Sequence, residues 1–220
     1  MAETNPSRGQ SAPFAVSWCS LASVVSGNVA GASPCLSSKQ RNEAVMHPNF
    51  NGVKQVGYVV KDLDKAMRHW VDLGIGPWFY RKNVTPVEFR YYGETLDKPV
   101  ISGAIAQSGD IQIELLQQCN DAPSLYRDSL ERSGEIAQHV AFWTVNEYDR
   151  WCRRLLELGY VEGHAGRMDS MRGRFAYFVH LDFPSAMIEI SESLGGKAET
   201  FERFKQAALN WDGRDPLRMV

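Results

Sequence analysis

Cysteine is scarce in this sequence, and its distribution argues against the common cysteine-based sites. The four cysteines are Cys19, Cys35, Cys119 and Cys152, and no two of them have the C-x-x-C spacing of a zinc knuckle or a redox dithiol. Sparse cysteines without such pairs are typical of a reducing compartment, so we expect a cytoplasmic protein.

Long apolar runs, a strong net charge and nucleotide-binding motifs are also missing. No window approaches the roughly 18 uninterrupted apolar residues of a membrane-spanning helix. The formal net charge is −2, and the lysines and arginines are scattered, so neither a nucleic acid nor a membrane is predicted as a partner. Without a P-loop, a dinucleotide fingerprint or a G-x-S-x-G elbow, the sequence does not favour ATP, NAD or serine-hydrolase chemistry.

What remains is an ordinary globular composition, with 44% hydrophobic and 23% charged residues in a chain of 220. That length accommodates one large domain or two small modules that share a core. Residues 1–48 differ from the rest, because they are rich in Ser, Ala, Gly and Asn and show no period of 2 or 3.6. We expect them to form a flexible N-terminal extension.

After this extension, one sequence pattern occurs twice. Ile136 to Gly159 reads IAQHVAFWTVNEYDRWCRRLLELG, and Val53 to Gly74 reads VKQVGYVVKDLDKAMRHWVDLG. Each copy has the pattern of a short strand, a turn and a helix that ends at a glycine. A shift of 84 residues places Gln55 on His139. The chain is therefore predicted to be a tandem duplication.

Further strands follow each helix, so each copy is predicted to be an α+β module. The predicted organisation is an N-terminal extension (1–48), a first module (49–119), a polar linker (120–135), a second module (136–195) and a C-terminal helical tail (196–220).

Each module ends in an apolar strand that one carboxylate interrupts, IQIELL around Glu114 and AMIEIS around Glu189. A carboxylate inside an apolar strand is costly unless it is paired, exposed or bound to a metal. Together with Gln55 and His139, these residues offer one polar side chain from each of four strands.

Gln55, Glu114, His139 and Glu189 can converge on one divalent cation. Three oxygen donors and one imidazole suit Mn²⁺, Co²⁺, Ni²⁺, Fe²⁺ or Zn²⁺, and the sequence does not choose among them. The alternative is that the carboxylates are half-exposed sheet residues and that the histidine is a hydrogen-bonded core residue. The duplicated placement favours the metal site.

At these residues the sequence resembles the vicinal oxygen chelate superfamily, which includes glyoxalase I, methylmalonyl-CoA epimerase, extradiol dioxygenases and bleomycin-resistance proteins. The resemblance covers about residues 50–195 and is carried by QVGYVVKDLDKAMRHW, IQIELLQ, QHVAFWTV and MIEI. It implies two tandem βαβββ modules that form a curled mixed sheet around a metal-binding cleft, often in a homodimer. The epimerase-like and glyoxalase I-like branches are the most similar, and their motif positions imply the same four metal ligands.

Two departures from the family pattern stand out. Gln55 replaces the histidine that many members have, which gives a Gln–Glu–His–Glu set similar to that of eukaryotic glyoxalase I. The usual Asp-Pro-x-Gly turn before the last strand is here Asp182-Phe183-Pro184-Ser185. The second departure changes the edge of the cavity, so the substrate does not follow from the resemblance.

The resemblance and the ligand set together imply an isomerase, epimerase or lyase that abstracts a proton next to a carbonyl. We assign Glu189 as the base, with Glu114 as the alternative. An anionic group of a small substrate is expected to contact Arg167, Arg172, Arg174 or His180. A solvated loop is the alternative for the arginines.

Two other functions remain open at this stage. An Fe²⁺ extradiol dioxygenase needs two histidines and one carboxylate around the iron, and Gln55 removes one of those histidines. A non-catalytic protein that sequesters a small molecule would need no metal.

Overall fold

The computed structural model describes residues 50–169, 173–184 and 187–220. The N-terminal extension predicted for residues 1–48 lies outside the described residues. Within these ranges the strands are β1 (Gln55–Val59), β2 (Trp78–Val84), β3 (Glu88–Tyr91), β4 (Ile101–Ser108), β5 (Ile111–Gln118), β6 (Ile136–Thr144), β7 (Val161–Arg167), β8 (Arg174–Val179), β9 (Met187–Glu192) and β10 (Leu217–Met219). The helices are α1 (Leu63–Asp72), α2 (Leu125–Ser133), α3 (Tyr148–Glu157) and α4 (Lys197–Leu209).

One mixed sheet holds all of these strands, in the order β10-β2-β4-β5-β1-β6-β9-β8-β7-β3. In both halves the first strand pairs in parallel with the last one, β1 with β5 and β6 with β9. The remaining strands of each half follow outward in antiparallel pairs. The predicted α+β fold of two βαβββ units in a curled sheet is therefore confirmed. The module boundaries assigned from the sequence stay predictions.

The two halves meet where β1 pairs antiparallel with β6. On the outer face, α1 buries Leu63 and Met67 against the first half, and α3 buries Trp151 and Leu155 against the second. A third apolar cluster combines residues of β1, β5, α2, β8 and β9 with residues of β3 and β4. In each half, one face of the sheet thus packs against a helix, and the other face lines the shared interior.

Local interactions begin helix α1 and end both repeated helices. Asp62 caps α1, because its Oδ1 accepts a hydrogen bond from the backbone N–H of Lys65 at 3.0 Å. Gly74 and Gly159 follow the two helices with φ of 82° and 88°, which is a conformation that favours glycine. This chemistry stops both helices at corresponding places in the repeat.

Strand β3 lies at the opposite edge of the sheet from its neighbours in sequence. It pairs antiparallel with β7 of the second half, whereas β2 and β4, which precede and follow it in the chain, lie next to each other near the other edge. Phe89 explains the difference, because its side chain is buried in the shared interior with its ring 5.2 Å from that of His164. Strand β7 also continues to Arg167, into a segment that the sequence predicted as a loop.

An extra residue interrupts the pairing of β1 with β6. Gly57 lies opposite His139, but Tyr58 lies opposite Ala137, so Gln138 is the extra residue of a β-bulge. The imidazole of His139 lies directly over Gly57, and a Cβ built on that glycine would fall 1.8 Å from Cε1 of the ring. The absence of a side chain at Gly57 is what makes room for His139.

We therefore expect Gly57→Ala to displace His139 and to lower the free energy of unfolding by about 2 kcal/mol, as overpacking of a core does. Gly103→Ala is the matched control, because that glycine also lies in a strand and its Cβ would meet only ordinary contacts, the nearest at 3.5 Å. Urea unfolding followed by circular dichroism measures both. Equal midpoints for the two variants would contradict this packing.

Candidate functional site

The strand register brings three of the four predicted metal ligands together on the inner face of the sheet. Gly57 on β1 lies between Glu114 on β5 and His139 on β6. Ala141, two residues further along β6, pairs with Glu189 on β9. Because residues two apart in a strand share a face, all three polar side chains project to the same side.

Their polar atoms lie in one hollow. Nε2 of His139 is 3.5 Å from Oε2 of Glu114 and 3.3 Å from Oε2 of Glu189. One ligand-type atom from each residue lies within 4.8 Å of the other two. His139 and Glu189 are buried, and within the described residues neither His139 Nε2 nor Glu189 Oε2 has a hydrogen-bond partner. Buried polar atoms without partners are costly, so this arrangement fits a bound cation.

The bulge residue Gln138 sets the orientation of the imidazole. Its Nε2 donates to the carbonyl of Leu125 at 2.8 Å and to Oγ of Ser129 at 3.0 Å, both on α2. These bonds leave Oε1 facing His139 Nδ1 at 3.1 Å, where the oxygen accepts a hydrogen bond from the ring. A proton held on Nδ1 leaves the Nε2 lone pair directed at the carboxylates, which is the tautomer of a metal-binding histidine.

The electrostatics of the hollow favour a positive charge. Burial lowers the pKa of His139, but the contacts with Glu114 and Glu189 outweigh it and raise that pKa to about 9. Burial raises the pKa of Glu189, but the contact with His139 outweighs it and lowers that pKa to about 2. Two carboxylates around one imidazole therefore favour either a second proton on the ring, which makes it positively charged, or a cation beside it.

Gln55 lies next to this group rather than at its centre. It is buried on the same face of β1 as Gly57, and its Nε2 donates to Oε1 of Gln112 at 2.7 Å. That hydrogen bond leaves the amide oxygen as the atom with which Gln55 would bind a cation.

A cavity of about 430 Å³ opens beside the carboxylates. Glu114 and Glu189 line it, together with the buried hydroxyl-bearing rings of Tyr126 and Tyr177. Burial raises the pKa of both tyrosines well above the usual 10, so they stay protonated. The volume is within the range of small-molecule sites.

Two of the predicted anion-binding residues, Arg167 and Arg174, do not line this cavity. Arg174 lies on the opposite face of β8, where its guanidinium contacts Asp149 at 2.9 Å and Glu192 at 2.7 Å. The Cζ atom of the Arg174 guanidinium also lies 4.1 Å from the ring centroid of Tyr148 on α3. Arg167 ends β7, with its Nε 3.7 Å from Glu88.

One other predicted residue, His180, also lies away from the cavity. His180 follows β8 and packs against the rings of Tyr160 and Phe183, and its Nδ1 accepts a hydrogen bond from the backbone N–H of Asp182. Arg172 is outside the described residues.

Sequence reasoning missed several residues of the cavity, above all those of α4. Lys197, Phe201 and Phe204 line it from that helix, and Arg81 does so from β2. The apolar stripe of α4 was visible in the sequence, but the sheet face that it covers was not. Gln138 was missed because strand alternation placed it opposite His139, and only the bulge moves it to the same side.

A mixed sheet made of two βαβββ units, with two carboxylates and a histidine inside the curl, defines a class of proteins built from duplicated α+β modules. A family model described as the Glyoxalase/Bleomycin resistance protein/Dioxygenase superfamily matches residues 54–178, which is more than half of the chain. The protein belongs to this superfamily. No curated protein sequence matches the chain.

Solved structures with a similar fold include methylmalonyl-CoA epimerases. The enzyme from Mycobacterium tuberculosis is 23% identical, with 64% of this chain and 87% of that chain covered and a TM-score of 0.43. A methylmalonyl-CoA epimerase in complex with methylmalonyl-CoA and NH4+ is 18% identical, with 66% and 95% covered and a TM-score of 0.41.

The position of Arg174 predicts a structural role. In Arg174→Met the buried carboxylate of Glu192 keeps the backbone N–H of residue 174 but loses the guanidinium, which we expect to cost about 2 kcal/mol at pH 7. Burial raises the pKa of Glu192, but Arg174 outweighs it and lowers that pKa, so the stabilisation is full above the unfolded pKa of about 4.3 and is lost on further acidification.

Urea unfolding of wild type and Arg174→Met from pH 7 down to pH 3 measures this difference. Arg154→Met is the control, because the pair of Arg154 with Glu157 is on the surface of α3. An unchanged midpoint at pH 7 in Arg174→Met would contradict the structural role.

Proposed function

We propose that this protein is a divalent-metal-dependent isomerase, epimerase or lyase that abstracts a proton next to a carbonyl in a small anionic substrate. The observation that carries the proposal is the group of half-buried Glu114 with buried His139 and Glu189 beside an open cavity. The cytoplasmic location and the homodimer expected from the sequence belong to the same proposal.

The residues present fit a divalent cation. Glu114, His139 and Glu189 would hold it, with the amide oxygen of Gln55 as a fourth ligand. The set of carboxylate, imidazole and amide donors suits the first-row divalent metals named above. The cation would supply Lewis-acid stabilisation of the negative charge that develops on the substrate oxygen.

Glu189 is the residue proposed to move the proton. It lines the cavity and its side chain is 7% exposed, so its carboxylate meets the substrate where little water competes. It would take the proton from the carbon next to the carbonyl and return it to the same carbon or to a neighbouring one. Glu114 is the alternative base, since it lines the same cavity.

Apolar and hydroxyl-bearing side chains of the pocket would complete the reaction site. Leu116 and Phe175 provide apolar walls, and Tyr126 and Tyr177 provide protonated hydroxyls. A hydroxyl that stays protonated can donate a hydrogen bond to a developing oxyanion. These groups would keep water away while the charge on the substrate is stabilised.

Metal binding is the first test of the proposal. After removal of bound metal with a chelator, Co²⁺ titration followed by visible absorption should show one equivalent bound by the wild type. His139→Ala should abolish that binding, because the only imidazole of the group is lost. His180→Ala is the control, since that imidazole lies among Tyr160 and Phe183. Weak binding that is equal in all three proteins would favour a ligand-binding protein that needs no metal.

Proton abstraction is the second test. The metal-loaded protein should catalyse exchange of deuterium from D2O into carbonyl compounds, screened as CoA thioesters, glutathione adducts and hydroxyketones by mass spectrometry. Glu189→Gln should lower the exchange rate by about 10²–10⁴-fold, the range of general-base catalysis. Glu157→Gln on the surface of α3 should leave it unchanged. Full exchange in Glu189→Gln would transfer the role of base to another residue.

A further inference from the structure

Helix α4 lies outside both copies of the repeat and outside residues 54–178, which the family model matches. It nevertheless contacts both halves of the sheet. Near its start, Nζ of Lys197 donates to Oγ of Ser191 on β9 at 2.5 Å. Two turns further along, the ring of Phe204 stacks on that of Phe79 on β2, with centroids 3.9 Å apart. The helix therefore spans the cavity from the second half to the first.

One face of α4 is turned to the cavity. Lys197, Thr200, Phe201 and Phe204 recur at a spacing of three or four residues, and all four line the cavity. Arg203 lines it beside them. The helix thus presents a cationic end and an aromatic middle to whatever enters.

The ammonium of Lys197 lies close to the proposed reaction site. Its hydrogen-bond partner Ser191 is two residues from Glu189 on the same face of β9, and both Ser191 and Lys197 contribute to the lowered pKa of Glu189. The same ammonium is 5.5 Å from the ring centroid of Phe201. A ligand group that meets Lys197 would therefore have the carboxylates on one side and an aromatic ring on the other.

The charges of the cavity lining indicate the sign of the ligand group that meets Lys197. With the cation of the proposed function in place, its two positive charges offset those of Glu114 and Glu189, and Lys197 contributes a further formal positive charge to the lining. Arg81 and Arg203 add two more cations, and Asp169 is the one further acidic side chain among the described residues of the lining. An anion is the ligand that such a surplus attracts.

The remaining lining indicates the body of the ligand. Ile101, Ile105 and Leu116 face the cavity from β4 and β5, and Phe201 and Phe204 face it from α4. A cavity of about 430 Å³ with these walls suits an aryl or alkyl chain rather than a compact polar molecule.

We propose that α4 determines substrate specificity, with Lys197 binding the acidic group of a carboxylate whose apolar aryl or alkyl body contacts Phe201. This inference rests on the proposed function for the charge sum, and it adds the substrate class and the residue that selects it.

Calorimetric binding tests the inference without any turnover. The probes are 4-phenylbutyrate, its neutral amide 4-phenylbutyramide, and butyrate, which lacks the aryl body. Metal-loaded wild type should bind 4-phenylbutyrate about tenfold or more tightly than either of the other two, which is the size of one charge-assisted contact. Lys197→Gln should remove the preference for the acid over the amide, and Lys197→Arg should keep it.

Lys205→Gln is the matched control on the same helix, because Lys205 pairs with Asp110 at 3.0 Å and does not line the cavity. It should retain the wild-type preference, and circular dichroism should show equal helix content in all variants. Equal binding of acid and amide by the wild type, or an unchanged preference in Lys197→Gln, would overturn the inference. A preference that depends on Lys197 in a protein without exchange activity would refute the proposed reaction and leave this binding site in place.

Discussion

The antiparallel pairing of β1 with β6 is the constraint on which the rest of this structure depends. It joins the two halves of the duplication, and it places Glu114 from one half next to His139 and Glu189 from the other. The His139 ring is accommodated there because Gly57 has no side chain beneath it. A half of the sheet alone would hold only one part of the group, so the site exists only where the halves meet.

The buried charges at this junction explain why several neighbouring polar residues are arranged as they are. Two carboxylates and an imidazole are costly to bury unless a positive charge joins them. Gln138 is held by two hydrogen bonds to α2, and it directs the free lone pair of His139 into the group. A cavity that merely stored an apolar molecule would have no need for this arrangement, since apolar residues of similar size would pack there at lower cost.

The repeat and the two-residue alternation of strands were enough to predict the duplicated α+β fold and to select Glu114, His139 and Glu189 as a group. Both patterns can be read directly from the order of the residues, so they require no knowledge of how the elements pack. The crossing of β3 to the far edge depends on the burial of Phe89 against residues distant in sequence. Arg174 was expected at the substrate because charge was visible, but its partners Asp149 and Glu192 become neighbours only in the folded sheet. Features that follow from a repeating sequence pattern were thus predicted, whereas features that depend on contacts between residues distant in sequence were missed.

The division of the chain into the duplicated modules and helix α4 also separates cation binding from substrate selection in the proposed function. The residues proposed to hold a cation come from the duplicated strands, where a change in one residue disturbs the pairing between the two halves of the sheet. The residues proposed to select the substrate come largely from α4, which packs on the sheet through a few side chains such as Phe204 and Lys205. Substitutions on its cavity face can alter which acid binds without moving the carboxylates or the histidine. One fold can serve many substrates when the residues that bind the substrate are separate from those that build the fold, and in this chain α4 is the element proposed to provide that separation.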